Sequence, residues 1–265
     1  GKRRGHLKHK IIEDMKNFYP ADEQEARIWG RFQQLTGLIV KEFDPQVHVI
    51  EPFDIDYDKY MVLESYDPHP RHKDAGVYVA VDSQGDLLVV DEFYKNVNES
   101  EAAVLIKQKR ENKRVVRKLI DPSAFNKDQH SGYSYGLALN EKYKLGFEPG
   151  SKARHEAIKL IKEHFSFIKQ GGKFPKPPKV YVFSNCTQFI YEITHWQWEE
   201  WKGANKYEKA PKETPEDKGD HLMECFGRIL LDLTITKWRP APIDRANPLF
   251  ADSATQYQGK RKVYA

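Results

Sequence analysis

The chain has 265 residues, room for one large domain or for one domain with an extended appendage. Its 43 basic and 39 acidic side chains leave a net charge of only +4, a balance that permits basic patches beside an acidic site and suits a polyanionic partner without requiring one. Two cysteines without a CxxC, no secretory segment and no apolar run near the roughly 18 residues of a membrane helix predict a reduced, unsecreted, cytoplasmic protein with neither a zinc site nor a membrane span.

Residues 1–55 read as a connector-like region: a basic opening, helix-like spacing at 11–18 and 23–35, then short extended pieces broken at Asp-Pro and Glu-Pro. From Lys59 the pattern turns regular. KYMVLESY predicts a first strand; GVYVAVD and LLVVDEFY, joined by SQGD, predict a hairpin. Asn98 with Glu101 resembles a capping box opening a helix through about Asn112. RVVRKLID (114–121) predicts a fourth strand, followed by a long loop over 123–150. A helix from Ser151, a linker at 171–178, a fifth strand at 179–183, an aromatic-rich helix over 185–201, a lysine-rich stretch at 202–219 and an amphipathic helix at 220–233 complete the order. Residues 239–265 read as a Pro-rich polar tail, leaving 56–238 as the main domain. A strand meander followed by helix-linked strands predicts an α/β fold, a mixed sheet flanked by helices.

The first and fourth strands each end in Asp-Pro, at Asp67 and Asp121. A fourth strand reached through a helix can lie parallel beside the first, which brings both acids to one edge, where the carboxyl ends of strands in open α/β sheets carry ligands. Asp220 starts the last helix, with Glu224 one turn later on the same face. Carboxylates crowded in this way repel, and a divalent cation removes the conflict; oxygen ligands favour Mg²⁺ or Mn²⁺. Two such ions can activate water and stabilise the leaving oxygen of a phosphodiester. Each acid also has an ordinary reading. Asp-Pro starts turns, Asp220 can cap its helix, Glu224 can be a solvated helix residue, and Glu92 can sit on a hairpin edge.

YDPHPRHKDAGVYVAVDSQGDLLVVDEFY resembles the first catalytic motif of the large terminase subunit of tailed bacteriophages. LIDPSA resembles its second acidic motif, GDHLMECFGRIL its closing helix, and EARIWGRFQQLTGLIVKEFDPQVHVIEPF its connector between ATPase and nuclease. The resemblance covers most of residues 20–235. It implies an RNase H-like nuclease that cuts concatemeric double-stranded viral DNA during genome packaging in the cytoplasm of the infected bacterium. Mapped by motif, Asp67, Asp121 and Asp220 are the metal-binding acids, with two Mg²⁺ or Mn²⁺ ions and with Glu92, His221 and Glu224 as supporting residues. Glu224 stands where the family often has Asp, and Cys225-Phe226-Gly227 replaces the commoner Ala-Leu-Arg. No Gly-Lys pair precedes Ser or Thr, so the ATPase motor is not among these residues. The resemblance thus implies the C-terminal part of a longer subunit, whose partners include its own ATPase domain, the small terminase subunit and the portal.

Duplex DNA requires a basic track for its phosphates. Arg71, Lys73, Lys127, Lys152 and Arg154 are the candidates, with ordinary surface charge as their plain alternative. The rival functions are a junction resolvase or transposase of the same fold, and a non-catalytic packaging scaffold.

Overall fold

The computed structural model of the chain describes residues 37–57, 59–70, 72–170, 173–199, 214–216 and 219–235. The helices expected at 11–18 and 23–35, most of the lysine-rich stretch and the tail lie outside the described residues, as does Arg71.

A short helix α1 (Pro45–His48) leads into β1 (Val49–Ile50). Then β2 (Met61–Asp67), β3 (Asp74–Val81) and β4 (Leu87–Lys95) form an antiparallel meander. Helix α2 (Glu99–Arg110) opens on the expected capping box: the Asn98 side chain accepts the N–H groups of Ser100 and Glu101, and Glu101 accepts the N–H of Asn98. It delivers β5 (Val115–Ile120) parallel to β2. A 3₁₀ turn (Pro122–Phe125), α3 (Tyr135–Glu141) and β6 (Glu148–Pro149) follow. Helix α4 (Arg154–Phe165), a small hairpin of β7 (Ile168–Gln170) and β8 (Lys173–Lys176), β9 (Val180–Phe183), α5 (Thr187–His195) and α6 (His221–Ile235) complete the chain.

The main sheet has seven strands in the order β1-β9-β4-β3-β2-β5-β6. All eight residues of β3 and six of the seven in β2 are buried, as strands covered on both faces must be. Alternation along β2 divides its side chains between two environments. Glu64 and Tyr66 face one layer, where Arg110 of α2 grips Glu64 through two nitrogens at 2.7 and 2.9 Å and Tyr135 of α3 meets Tyr66. Ser65 and Asp67 face α6, which packs across β2, β3 and β5.

Three expected segments differ. The long loop over 123–150 contains α3, whose Ser134 caps it by accepting the N–H of Leu137, as well as the edge strand β6. The linker at 171–178 is partly strand, because β8 folds back onto β7. The aromatic-rich helix stops at His195: Trp196 O accepts the N–H of Ile39, Trp198 donates its N–H to Gly37 O, and Gln197 bridges Leu38. The alternation Trp196-Gln197-Trp198 suits that extended pairing better than a helix face. Residues 38–50 thus join the main body, with Ile39, Val40 and Phe43 in its core and β1 on the sheet edge beside β9. No helix among the described residues is long and apolar enough to cross a membrane.

Candidate metal centre

Tyr66 and Ile120 are partners across β2 and β5, and the Asp121 N–H donates to Tyr66 O at 3.0 Å. The ladder therefore places Asp67 and Asp121 side by side at the same sheet edge, both buried. Helix α6 crosses that edge and adds Glu224. Oxygen atoms of Asp67, Asp121 and Glu224 all lie within 4.8 Å of one another.

Each carboxylate is held from several directions. His221 Nδ1–H donates to Asp67 Oδ2 at 2.9 Å, and this bond, against the opposing effect of burial, raises the histidine's pKa. Ser123 donates its backbone N–H (2.7 Å) and its hydroxyl to Asp121 Oδ1, and Lys152 Nζ stands 3.2 Å from the same oxygen. Burial works to raise the Asp121 pKa, but the Arg228 charge and the Ser123 donors outweigh it and the net shift is downward. For Glu224 burial dominates, reinforced by Asp220 and Asp67, so its pKa is raised despite Arg228.

Arg228 is the residue that sequence reasoning missed. Its Nη2 donates to Asp67 Oδ1 at 2.9 Å, Asp121 Oδ2 at 2.6 Å and Glu224 Oε2 at 3.3 Å. Burial opposes its charge, yet Cys225 and the three acids raise its pKa well above the ordinary arginine value. The available signal was the four-residue step from Glu224, which stacks the two side chains on one helix face. Gly227 lies one residue earlier, where a Cβ would stand 2.8 Å from the Ala157 Cβ. A larger side chain at 227 would collide with α4, and the guanidinium comes from position 228 instead.

The other expected residues divide. Asp220 lies at the start of α6 but turns to Arg154, which also approaches Glu224 Oε1 at 3.7 Å; it is outside the three-carboxylate set. Glu92 accepts the N–H groups of Gln188 and Phe189 at 2.8 and 2.7 Å, and so caps α5. Lys152 and Arg154 border a cavity of about 140 Å³ next to the carboxylates, with Trp196, Met223, Glu224 and Arg228 also in its wall. Lys73 Nζ lies 5.0 Å from the centre of the Tyr94 ring, and Lys127 is exposed in the loop after the 3₁₀ turn.

The donor set suits a hard divalent ion: three carboxylates supply oxygen only, and positive charge is demanded where they meet. Arg228 supplies that charge here, standing in for a cation.

Two aspartates on the ends of adjacent parallel strands, with an acid on a helix laid across them, form a carboxylate cluster at one edge of a mixed α/β sheet. The chain is similar to the large terminase of a thermophilic bacteriophage at 16% identity and a TM-score of 0.55, over 87% of this chain and 53% of that one. It is likewise similar to that terminase in complex with ADP, at 16% identity and a TM-score of 0.58, over 86% and 52%. Against the P22 large terminase nuclease domain the identity is 13% and the TM-score 0.53, over 78% of this chain and 96% of that one. The fold is that of a large-terminase nuclease domain, and the chain spans about half the length of the thermophilic phage terminase. Neither a protein-family model nor a curated protein matches the sequence.

Proposed function

We propose that the chain is a metal-dependent endonuclease that cuts concatemeric double-stranded viral DNA during genome packaging. The observation that carries this reading is the convergence of Asp67, Asp121 and Glu224 within 4.8 Å on a terminase-nuclease fold. These residues would hold Mg²⁺ or Mn²⁺, two ions in all, with Asp220 as a further acid on the same helix end. A divalent ion so held supplies an activated water and stabilises the charge on the leaving oxygen of the phosphodiester.

The chain's own groups prepare that chemistry. Ser123 and His221 each fix one oxygen of an aspartate, which leaves the other to face the centre. Three acids at one point repel a polyanion, and Lys152 and Arg154 on the rim offset that repulsion where a phosphate approaches. Lys73 and Lys127 would extend the basic track along the DNA, and Arg71, outside the described residues, is a further candidate from the sequence. Among the described residues no helix or finger that reads base edges is evident, so little sequence preference follows. In this reading the ATPase domain of the same longer subunit, the small terminase subunit and the portal are partners, and the work is done in the cytoplasm of the infected bacterium.

The test is cleavage of supercoiled plasmid with Mn²⁺ or Mg²⁺. Nicking and linearisation that stop with EDTA and with Asp121→Asn are expected. Cleavage that survives both would reject the assignment, and a strong preference for branched over linear duplex would favour a resolvase-like role.

A further inference from the structure

A divalent ion and Arg228 compete for the same atoms. Nη2 of Arg228 takes one oxygen from each of Asp67, Asp121 and Glu224, the three residues that form the carboxylate set. The remaining oxygens face other partners: His221 on Asp67, Ser123 and Lys152 on Asp121, Arg154 on Glu224. The atoms left for an incoming cation are the ones that the guanidinium already occupies.

The fold is shaped around this arginine. Its side chain is only 4% exposed, and a buried charge requires partners of opposite sign. Gly150, just past β6, lies against its stem: a Cβ there would stand 3.0 Å from Arg228 Cδ and 3.3 Å from Cγ. Beside it is the cavity of about 140 Å³ whose wall includes Lys152, Arg154 and the buried Trp196. That cavity leaves volume into which the Arg228 side chain can swing, and the positive charges of Lys152 and Arg154 on its wall set a cost on the move.

Building on the nuclease reading, we propose that Arg228 is a resident counter-cation that keeps the carboxylates assembled and neutralised before metal arrives, and that a divalent ion enters by displacing it. Arg228 is then a positioning residue with a measurable consequence: it lowers the affinity of the centre for the first ion. A purely structural arginine has the opposite effect, because its loss would loosen the carboxylates and weaken metal binding.

The experiment is Mn²⁺ binding without DNA, by calorimetry and by loss of the free-Mn²⁺ electron paramagnetic resonance signal, on wild type, Arg228→Met and Arg228→Lys. Methionine keeps an unbranched apolar stem and removes the charge. Arg228→Met is expected to bind Mn²⁺ about tenfold or more tighter than wild type, to melt at a lower temperature without metal, and to gain a larger Mn²⁺-dependent rise in Tm. Arg228→Lys, a compact charge that cannot fork, is expected between the two, and it carries the test if the methionine variant does not fold. Equal or weaker Mn²⁺ affinity in the variants overturns the exchange while leaving the nuclease reading intact. Absence of binding in all three proteins, wild type included, overturns both.

Discussion

Glu192 of α5 is fully buried, and its Oε2 accepts the N–H of Leu222 at 2.7 Å and of Met223 at 3.3 Å. It thereby closes the first turn of α6, the helix that carries His221 and Glu224. Burial pushes its pKa from 4.5 up to about 7, although the Gln188 amide and the two backbone donors pull it down. Between those values the folded chain keeps a proton that the unfolded chain has released. Stability therefore falls as pH rises from about 4.5 to 7 and levels off above. At about 1.4 kcal/mol per unit, the shift to about 7 amounts to roughly 3 kcal/mol. Glu192→Gln keeps an oxygen for the Leu222 N–H and removes the ionisation, so it lacks this slope. Urea unfolding of both proteins at pH 4.5, 6 and 8, followed by circular dichroism, measures the difference directly. The variant is expected to gain about 3 kcal/mol on wild type between the lowest and highest pH. A stability difference that stays constant across the range would refute the argument.

Glu224→Gln is expected to slow plasmid nicking at least about a hundredfold and Asp220→Asn by about tenfold or less, since only Glu224 belongs to the carboxylate set; the reverse order would move the centre to the helix start. Glu92→Gln weakens the cap on α5 and is expected to cost about 1–2 kcal/mol in denaturant unfolding, with nicking by the folded variant unchanged; lost activity in a fully folded variant would place Glu92 at the chemistry. Lys152→Ala is expected to reduce the slope of log K against log salt by about 1 when duplex binding is followed by fluorescence anisotropy in Ca²⁺. An unchanged slope would remove Lys152 from the phosphate track.

The strand meander, the parallel pairing of β2 with β5 and the meeting of Asp67 with Asp121 were legible, because buried strands advertise themselves as apolar runs and Asp-Pro marks where they end. The fate of the remaining acids was not. A carboxylate on a helix start can cap its own helix, pair with a cation or face a metal, and only packing decides. Glu92 and Glu192 illustrate this: each accepts backbone N–H groups from a helix far away in sequence, a partnership that no local spacing records. Arg228 was hidden for a related reason. Its counterpart acids sit on three separate elements, and the glycines that clear its path, at 150 and 227, read in sequence as a turn residue and a weak helix former. The helix α3 was missed because seven residues behind a Gly-Ser-Tyr segment carry too little periodicity to stand out.

Asp67 and Asp121 ride on strands bonded to each other, so the gap between them is dictated by the backbone ladder, at about 4.8 Å between neighbouring strands. Glu224 arrives on a separate helix, seated by Glu192 at its first turn and by close approach to Ala157 at Gly227. The centre is thus built from two acids spaced by the sheet and a third spaced by helix packing. A substitution that shifts α6 against α4 would change the distances to Glu224 while leaving the gap between Asp67 and Asp121 untouched.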